Sequence, residues 1–228
     1  MTVRQHVIVT DIPRPAPELV AKVAKQYVGV AGYELGPRQV CHPDIKPLDP
    51  TWKICGPAVT VRADHWFDRM MGELAPKYVK PGDIIVVDAG GYTDVAVWGM
   101  SMSTSAKKAG AAGVVIDGAT TNSALLTRER PQLPVFARGV SAAVLTAEGP
   151  GSINVPVVCG GVIVNPGDII LADSDGVVVL RPEMAEAMIR NAEAHDKNAQ
   201  DPEAAKKPYW ERREVEARLK AMGNVTWK

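Results

Sequence analysis

Gly113-Val114-Val115-Ile116-Asp117-Gly118-Ala119-Thr120-Thr121-Asn122 begins as an uncharged apolar run, meets an aspartate and a glycine, and ends on polar residues. The run reads as a strand, and the polar segment beyond it as a means of holding substrate-binding groups at a sheet edge. Just upstream, residues 98–112 are rich in Met, Ser, Ala and Lys, lack proline and run into Gly110 and Gly113, which predicts a helix. Before that helix, the turn Pro81-Gly82-Asp83 precedes Ile84-Ile85-Val86-Val87. Residues 84–116 therefore read as one β-α-β unit.

The same turn recurs. Pro81-Gly82-Asp83-Ile84-Ile85, ending at Asp88 and Gly91, is echoed by Pro166-Gly167-Asp168-Ile169-Ile170, ending at Asp173 and Gly176. Two short copies do not make a solenoid. Each reads as a turn that launches a buried strand, which assigns Asp83 and Asp168 structural roles. The continuous apolar runs at 114–116, 162–164, 169–172 and 177–180 suit strands covered on both faces, as in a mixed sheet or closed barrel flanked by helices. Ala58-Val59-Thr60-Val61 adds another strand. Helices are expected at 17–28, where Leu19, Val20, Val23 and Tyr27 share a face, and at 66–78. From Pro182 the sequence turns charged and helical, with breaks near Pro202 and Pro208, so the chain divides into a body, 1–181, and a C-terminal helical extension, 182–228. In that extension Val215, Leu219 and Met222 form an apolar stripe beside Tyr209 and Trp210, surface expected to pack on the body or on another subunit.

At 228 residues, one large domain with a tail fits better than two complete domains. Lys plus Arg and Asp plus Glu both number 26, so no global field favours nucleic acid or an anionic membrane. Cys41, Cys55 and Cys159 are an odd set without CxxC spacing, which points to buried free thiols in a reducing cytoplasm. Val7-Ile8-Val9 is too short for a signal-peptide core, and no stretch is apolar for long enough to span a bilayer. A soluble cytoplasmic protein is expected.

A series of blocks narrows the reading further. Gly82-Asp83-Ile84-Ile85-Val86-Val87-Asp88, Gly90-Gly91, Trp98-Gly99, Ala111-Ala112-Gly113-Val114-Val115-Ile116-Asp117-Gly118, Asn154-Val155-Pro156-Val157, Gly160-Gly161-Val162, Pro166-Gly167-Asp168 and Ala172-Asp173-Ser174-Asp175-Gly176-Val177 follow one another in this order. The series, over roughly residues 55–180, resembles the RraA-like family, which includes class II 4-hydroxy-4-methyl-2-oxoglutarate / 4-carboxy-4-hydroxy-2-oxoadipate aldolases and the regulator of ribonuclease activity A. The resemblance implies an α/β swivelling β/β/α fold, a homotrimer or dimer of trimers (a hexamer), and an active site between subunits. It also implies Mg or Mn, which would bind a pyruvate-like 2-oxo acid and stabilise the enolate left by C–C cleavage.

The chain departs from that pattern where the chemistry would sit. The family's Asp-Gly-x-x-Arg-Asp places its substrate-binding arginine at Thr121 and its metal-ligating aspartate at Asn122. Its Gly-Asp-Leu-Leu motif reads Gly99-Met100-Ser101-Met102, without the acid. An Asn122 carbonyl can ligate a hard cation but brings no charge, so Mg or Mn binding is weakened. Threonine likewise cannot replace a bidentate guanidinium. Backbone amides near Ser101 and Met102 need no particular side chain to hold a carboxylate.

By the resemblance, Thr121 and Asn122 are candidate catalytic residues, Gly99, Met100, Ser101, Met102 and Thr121 the substrate-binding set, and Asn122 the metal position; Asp117, as a ligand or base at the strand end, and Arg138, reaching the substrate in place of the lost arginine, complete the catalytic candidates. Asp117 also suits a turn cap, and Arg138 an exposed arginine. Asp94, with the alternative of a solvated loop aspartate, and His65, beside Trp66 and Asp68, are further acid/base candidates. Lys107 and Lys108 would allow a Schiff base but suit a solvated helix end. His6, His42, His65 and His195 lack metal-site spacing, and Ser103, Thr104 and Ser105 lack a nucleophile elbow. The expected function is a lyase for a small 2-oxo or hydroxy acid, acting by retro-aldol cleavage or decarboxylation. A non-catalytic regulatory protein and a divergent isomerase or hydratase are the alternatives.

Overall fold

The structure, a computed structural model, describes residues 6–63, 68–128, 133–145, 149–199 and 206–226, except the side chains of 195–199. The chain packs as two units, Met1–Ile189 and Arg190–Lys228. In the first, β1 (Val7–Ile8) is followed by α1 (Pro17–Val23), α2 (Val28–Leu35), β2 (Lys46–Pro47), β3 (Ile54–Ala63) and α3 (Met70–Leu74). Next come β4 (Ile84–Asp88), β5 (Ala96–Trp98), α4 (Met100–Lys108), β6 (Gly113–Thr120), α5 (Ser123–Arg128) and β7 (Val135–Val140). Then follow β8 (Gly151–Ile153), β9 (Val157–Cys159), β10 (Val162–Val164), β11 (Ile169–Asp173) and β12 (Gly176–Leu180). Helix α6 (Pro182–Ala199) spans the division, and the second unit also holds α7 (Tyr209–Arg212) and α8 (Val215–Met222).

The centre of the first unit is the parallel series β3-β4-β6-β7, edged by antiparallel β8 beside β3 and antiparallel β2 beside β7. Strand β3 is long enough to join two layers: its first half pairs with β11 and its last residues with β8. Alternation along the strands sends Ile85, Val87, Val114, Ile116, Val135 and Ala137 into one core with Met71, Met102, Ala106 and Leu126 from the helices. Ile84, Val86, Val115 and Phe136 point the other way, into a core shared with Val157, Cys159, Val162, Val164, Ile170 and Val179. Helices therefore cover one face and a second β layer the other. That explains the uninterrupted apolar runs: a strand wet on one side would have alternated.

Both Pro-Gly-Asp turns are built alike. Asp83 accepts from Lys80 N at 2.7 Å, and Asp168 from Asn165 N at 2.7 Å, each closing its turn by a carboxylate. Asp83 is also gripped by Arg14, whose Nη2 lies 2.7 Å from Oδ2. The turns launch β4 and β11, as expected from the sequence.

Several expectations need correction. The helix at 17–28 stops at Val23, and Tyr27 is an exposed residue preceding α2, with Lys53 Nζ over its ring. The helix at 66–78 is reduced to α3 and a 3-10 turn, because Pro76 cannot donate the next helical bond; residues 64–67 lie outside the described set. Trp98 belongs to β5, a short strand that the helical reading of 98–112 absorbed. The run at 162–164 is covered on one face only, since Ile163 is 65% exposed opposite exposed Val158. Tyr209, Trp210 and Met222 are exposed in this single chain. Among the described residues, no helix is long and apolar enough to cross a membrane.

Candidate functional site

The carboxyl ends of parallel strands leave a crevice whose floor is set by the last residue of each run. Here those residues are charged. Register places Arg62 beside Asp88 and Asp88 beside Asp117, and Arg138 follows Ala137, the partner of Ile116. All four stand on the face towards the second β layer. The result is a row of charges, positive, negative, negative, positive, across the ends of β3, β4, β6 and β7.

The inner pair is tightly made. Arg138 Nε and Nη2 lie 2.7 and 2.6 Å from Asp117 Oδ1, while Gly160 N donates to Oδ2 at 2.7 Å. Arg138 Nη1 is 3.7 Å from the exposed Asp44 carboxylate. The Asp117 backbone carbonyl also receives Gly91 N at 2.9 Å, which ties the loop after β4 to β6. Sequence reading offered Asp117 as a turn cap or catalytic group and Arg138 as exposed or substrate-reaching; the structure makes them a half-buried ion pair. Gly160 enables it. It opens the β9–β10 hairpin at φ +56°, followed by Gly161 at φ +82°, the handedness of a two-residue hairpin turn. A Cβ on Gly160 would lie 2.5 Å from His42 N.

Asp88 is held less securely. Its carboxylate accepts from Gly90 N and Val158 N, both at 3.0 Å, yet burial, aided by the charge of Asp117, raises its pKa above the ordinary 3.8. A carboxyl shifted upwards binds its proton more tightly in the folded chain. Its contribution to stability is therefore greatest below about pH 4 and is lost as pH rises through the folded pKa. Asp88→Asn should flatten that part of the stability profile, measured as urea midpoints from about pH 4 to 7. Parallel profiles for the two proteins would contradict the assignment.

The second cluster lies beyond the end of β6. Thr121 N donates to Trp98 O at 3.0 Å, fastening the polar segment to β5 directly before α4. The buried Trp98 indole is in turn fixed by Ser103 Oγ at 2.8 Å. Asn122 adopts φ 59°, a left-handed conformation that asparagine tolerates, and its Oδ1 sits 3.4 Å from Met100 N. Gly99 keeps the approach close: a Cβ there would lie 3.0 Å from Thr121 Cγ2 and 3.2 Å from Asn122 Oδ1. Ser103 N is the first α4 amide bonded back, to Gly99 O, so the preceding amides form the helix's positive end. Thr121, Asn122, Gly99 and Met100 are thus brought together, Ser101 follows as an exposed residue of α4, and Met102 is buried in the core. Asp117 and Arg138 form the separate cluster described above.

The metal position fares differently. Asn122 offers one neutral oxygen, already turned towards Met100 N, and no group of three or more His, Cys, Asp or Glu side chains able to hold a metal occurs among the described residues. These residues do not fit a charged divalent-cation site. Asp94 is exposed, Lys107 and Lys108 are exposed in the last turn of α4, and His65 and the His195 side chain lie outside the described set. Sequence reasoning missed Asp88 and Arg62. The available signal was that several apolar strand runs end on a charged residue at one register.

Comparison with known proteins covers most of the first unit. Residues 23–179 match the RraA-like family, described as Aldolase/RraA. A Halalkalibacterium halodurans protein provisionally named 4-hydroxy-4-methyl-2-oxoglutarate aldolase is 38% identical over 148 residues, covering 65% of this chain and 69% of that one. The solved structure of Streptomyces coelicolor RraAS2, described as an unusual member of the RNase ES inhibitor RraA family, superposes with a TM-score of 0.72 at 28% identity, covering 82% of this chain and 96% of the other. Thermus thermophilus RraA, described as an RNA-processing inhibitor, gives 0.60 at 25% identity, with 68% and 93% covered.

Proposed function

The chain belongs to the RraA-like family, and on that premise we propose that it is a lyase for a small 2-oxo or hydroxy carboxylic acid. One observation carries the reading: the amides opening α4 converge with Thr121 and Asn122 on a single patch beside Gly99. Backbone N–H groups at a helix start bind a carboxylate without a cationic side chain. The Thr121 hydroxyl and Asn122 amide would then face the oxo or hydroxy group, offering hydrogen bonds as charge moves onto its oxygen during retro-aldol cleavage or decarboxylation. The Asp117–Arg138 pair would position the strand end that carries them. No step is assigned to a metal, because Asn122 and Met100 stand where charged ligands would be needed.

Neutral donors stabilise an enolate less than a chelated cation does, so turnover should be slow beside a metal-dependent aldolase. The reading takes the working unit as a homotrimer or dimer of trimers, with the small carboxylate as partner and no nucleic acid. The test is pyruvate release from 4-carboxy-4-hydroxy-2-oxoadipate, 4-hydroxy-4-methyl-2-oxoglutarate and oxaloacetate, with and without Mn, against enzyme-free blanks. Release should persist without Mn and fall at least about tenfold in Asn122→Ala. No release from any of the three, with no thermal stabilisation by pyruvate, would remove the lyase reading. A regulatory role is the second reading, favoured by the replacement of the acidic positions on an otherwise retained scaffold. A ribonuclease inhibited by the purified chain would support it.

A further inference from the structure

One buried cationic side chain has no part in the proposed chemistry. Arg69, the residue capping α3, has its Nε buried without a hydrogen-bond partner. Among the described residues its ion pair is with Glu73, whose Oε1 stands 3.6 Å from Nη2, beyond hydrogen-bond reach. The two side chains are 23% and 55% exposed, so a ligand can reach the guanidinium from solvent. A desolvated donor left unbonded costs stability, and in a native structure it marks a place where a ligand, ion or water completes the set.

The course of the chain puts Arg69 at the opening of α4. Gly72, in α3, lies against the first turn of α4: a Cβ there would be 2.7 Å from Met102 Cε and 3.7 Å from the Trp98 ring. Further along, Gly82 N donates to Gly110 O at 2.9 Å, and a Cβ on Gly110 would be 3.0 Å from Pro81 Cα. The segment from Gly72 to Pro81 therefore accompanies α4 from its first turn to just past its end. Arg69 precedes Gly72, and so stands at the end of α4 where the unbonded amides lie. Met70 and Met100 pack on one core there. Lys107 and Lys108 are at the opposite end of the helix. Thr121 brings no charge to the patch, and the cation that this course supplies is Arg69.

We infer that Arg69 is a specificity-determining residue of the site, binding the second carboxylate of a substrate whose first carboxylate rests on the α4 amides. The inference depends on the lyase reading for that first carboxylate. A guanidinium meets a carboxylate through two parallel N–H groups, and Nε with one Nη forms such an edge. Binding draws Arg69 from Glu73 and gives Nε the acceptor it lacks. A monocarboxylate with an apolar tail leaves that donor unbonded. The site therefore selects by charge at the far end of the substrate rather than by its length.

The experiment titrates the full chain by calorimetry with 2-oxoglutarate and with 2-oxopentanoate, which has a methyl group where the diacid has its second carboxylate. Neither has the 4-hydroxyl group that retro-aldol cleavage needs, so binding is read without turnover. The diacid should bind at least about tenfold tighter. Arg69→Gln should remove that difference and leave 2-oxopentanoate unchanged, and Arg69→Lys should restore part of it. Glu73→Gln removes the competing carboxylate, and should tighten the diacid alone by about two- to threefold. Asn122→Ala should weaken both acids alike. Equal affinities in the parent chain, or Arg69→Gln weakening both acids equally, would overturn the role of Arg69 while leaving the lyase reading in place. Unchanged diacid affinity in Glu73→Gln would overturn it too, even where Arg69→Gln fails to fold. Binding of neither acid would remove the carboxylate patch itself, and the inference with it.

Discussion

Arg138→Ala should destabilise the folded chain by about 3–5 kcal/mol, read as a lowered urea midpoint at unchanged m-value. The magnitude follows from what remains behind. Asp117 has a side chain only 7% exposed, and Arg138 gives it two of its short charge-assisted contacts, at 2.6 and 2.7 Å. Without the guanidinium, the carboxylate keeps Gly160 N and little else. Truncating one partner of a half-buried pair costs far more than an exposed salt bridge is worth, because the other charge stays desolvated. Two further variants separate charge from packing. Arg138→Lys retains the charge but not the fork and should lose about half as much. Asp117→Asn placed on Arg138→Ala removes the stranded charge and should recover part of the loss. A single-variant loss below about 1 kcal/mol would show that the pair behaves as a surface ion pair. The loss should extend to the loop after β4, because the Asp117 carbonyl holds Gly91 N at 2.9 Å.

How far the sequence disclosed this arrangement depended on whether local pattern or tertiary placement decided each element. The Pro-Gly-Asp turns were legible because their residues specify a turn locally, and both launch the expected strands. Strands β6, β11 and β12 were legible because both faces are buried, leaving continuous apolar runs. The same rule misled at β10: three apolar residues look alike whether one face or two is covered, and Ile163 is exposed. Strand β5 was invisible for another reason. Three residues carry no period, and Ala96–Trp98 is recruited by pairing with the end of β6. Within the candidate site, the grouping of Thr121 with Gly99 and Met100 followed from the family's blocks and is present in the fold. The bond between Arg138 and Asp117 could not be read off 21 residues of separation, although both end apolar runs.

The triple substitution Met100→Asp, Thr121→Arg, Asn122→Asp should create Mn binding at least about a hundredfold tighter than in the parent chain, with Mn-dependent pyruvate release. The backbone is suited to the exchange. Residue 122 already sits at φ 59°, which aspartate tolerates nearly as well as asparagine. Positions 100 and 122 flank the opening of α4, where each new carboxylate meets the helix's positive end and should add about 0.3–1 kcal/mol to stability. Thr121 is half-buried, with its methyl group towards Gly99, so an arginine must leave along the solvent side rather than over that glycine. Binding and chemistry can be read separately. A thermal midpoint that rises with Mn concentration reports the metal even if no substrate turns over. Midpoint gain with turnover would mean that the scaffold still positions the 2-oxo acid and that the parent's slow chemistry reflects its neutral side chains. Midpoint gain without turnover would mean that the substrate pocket itself has changed. A folded variant showing neither would place the chemistry away from Asn122, leaving the α4 amides as an anion site without an electron sink.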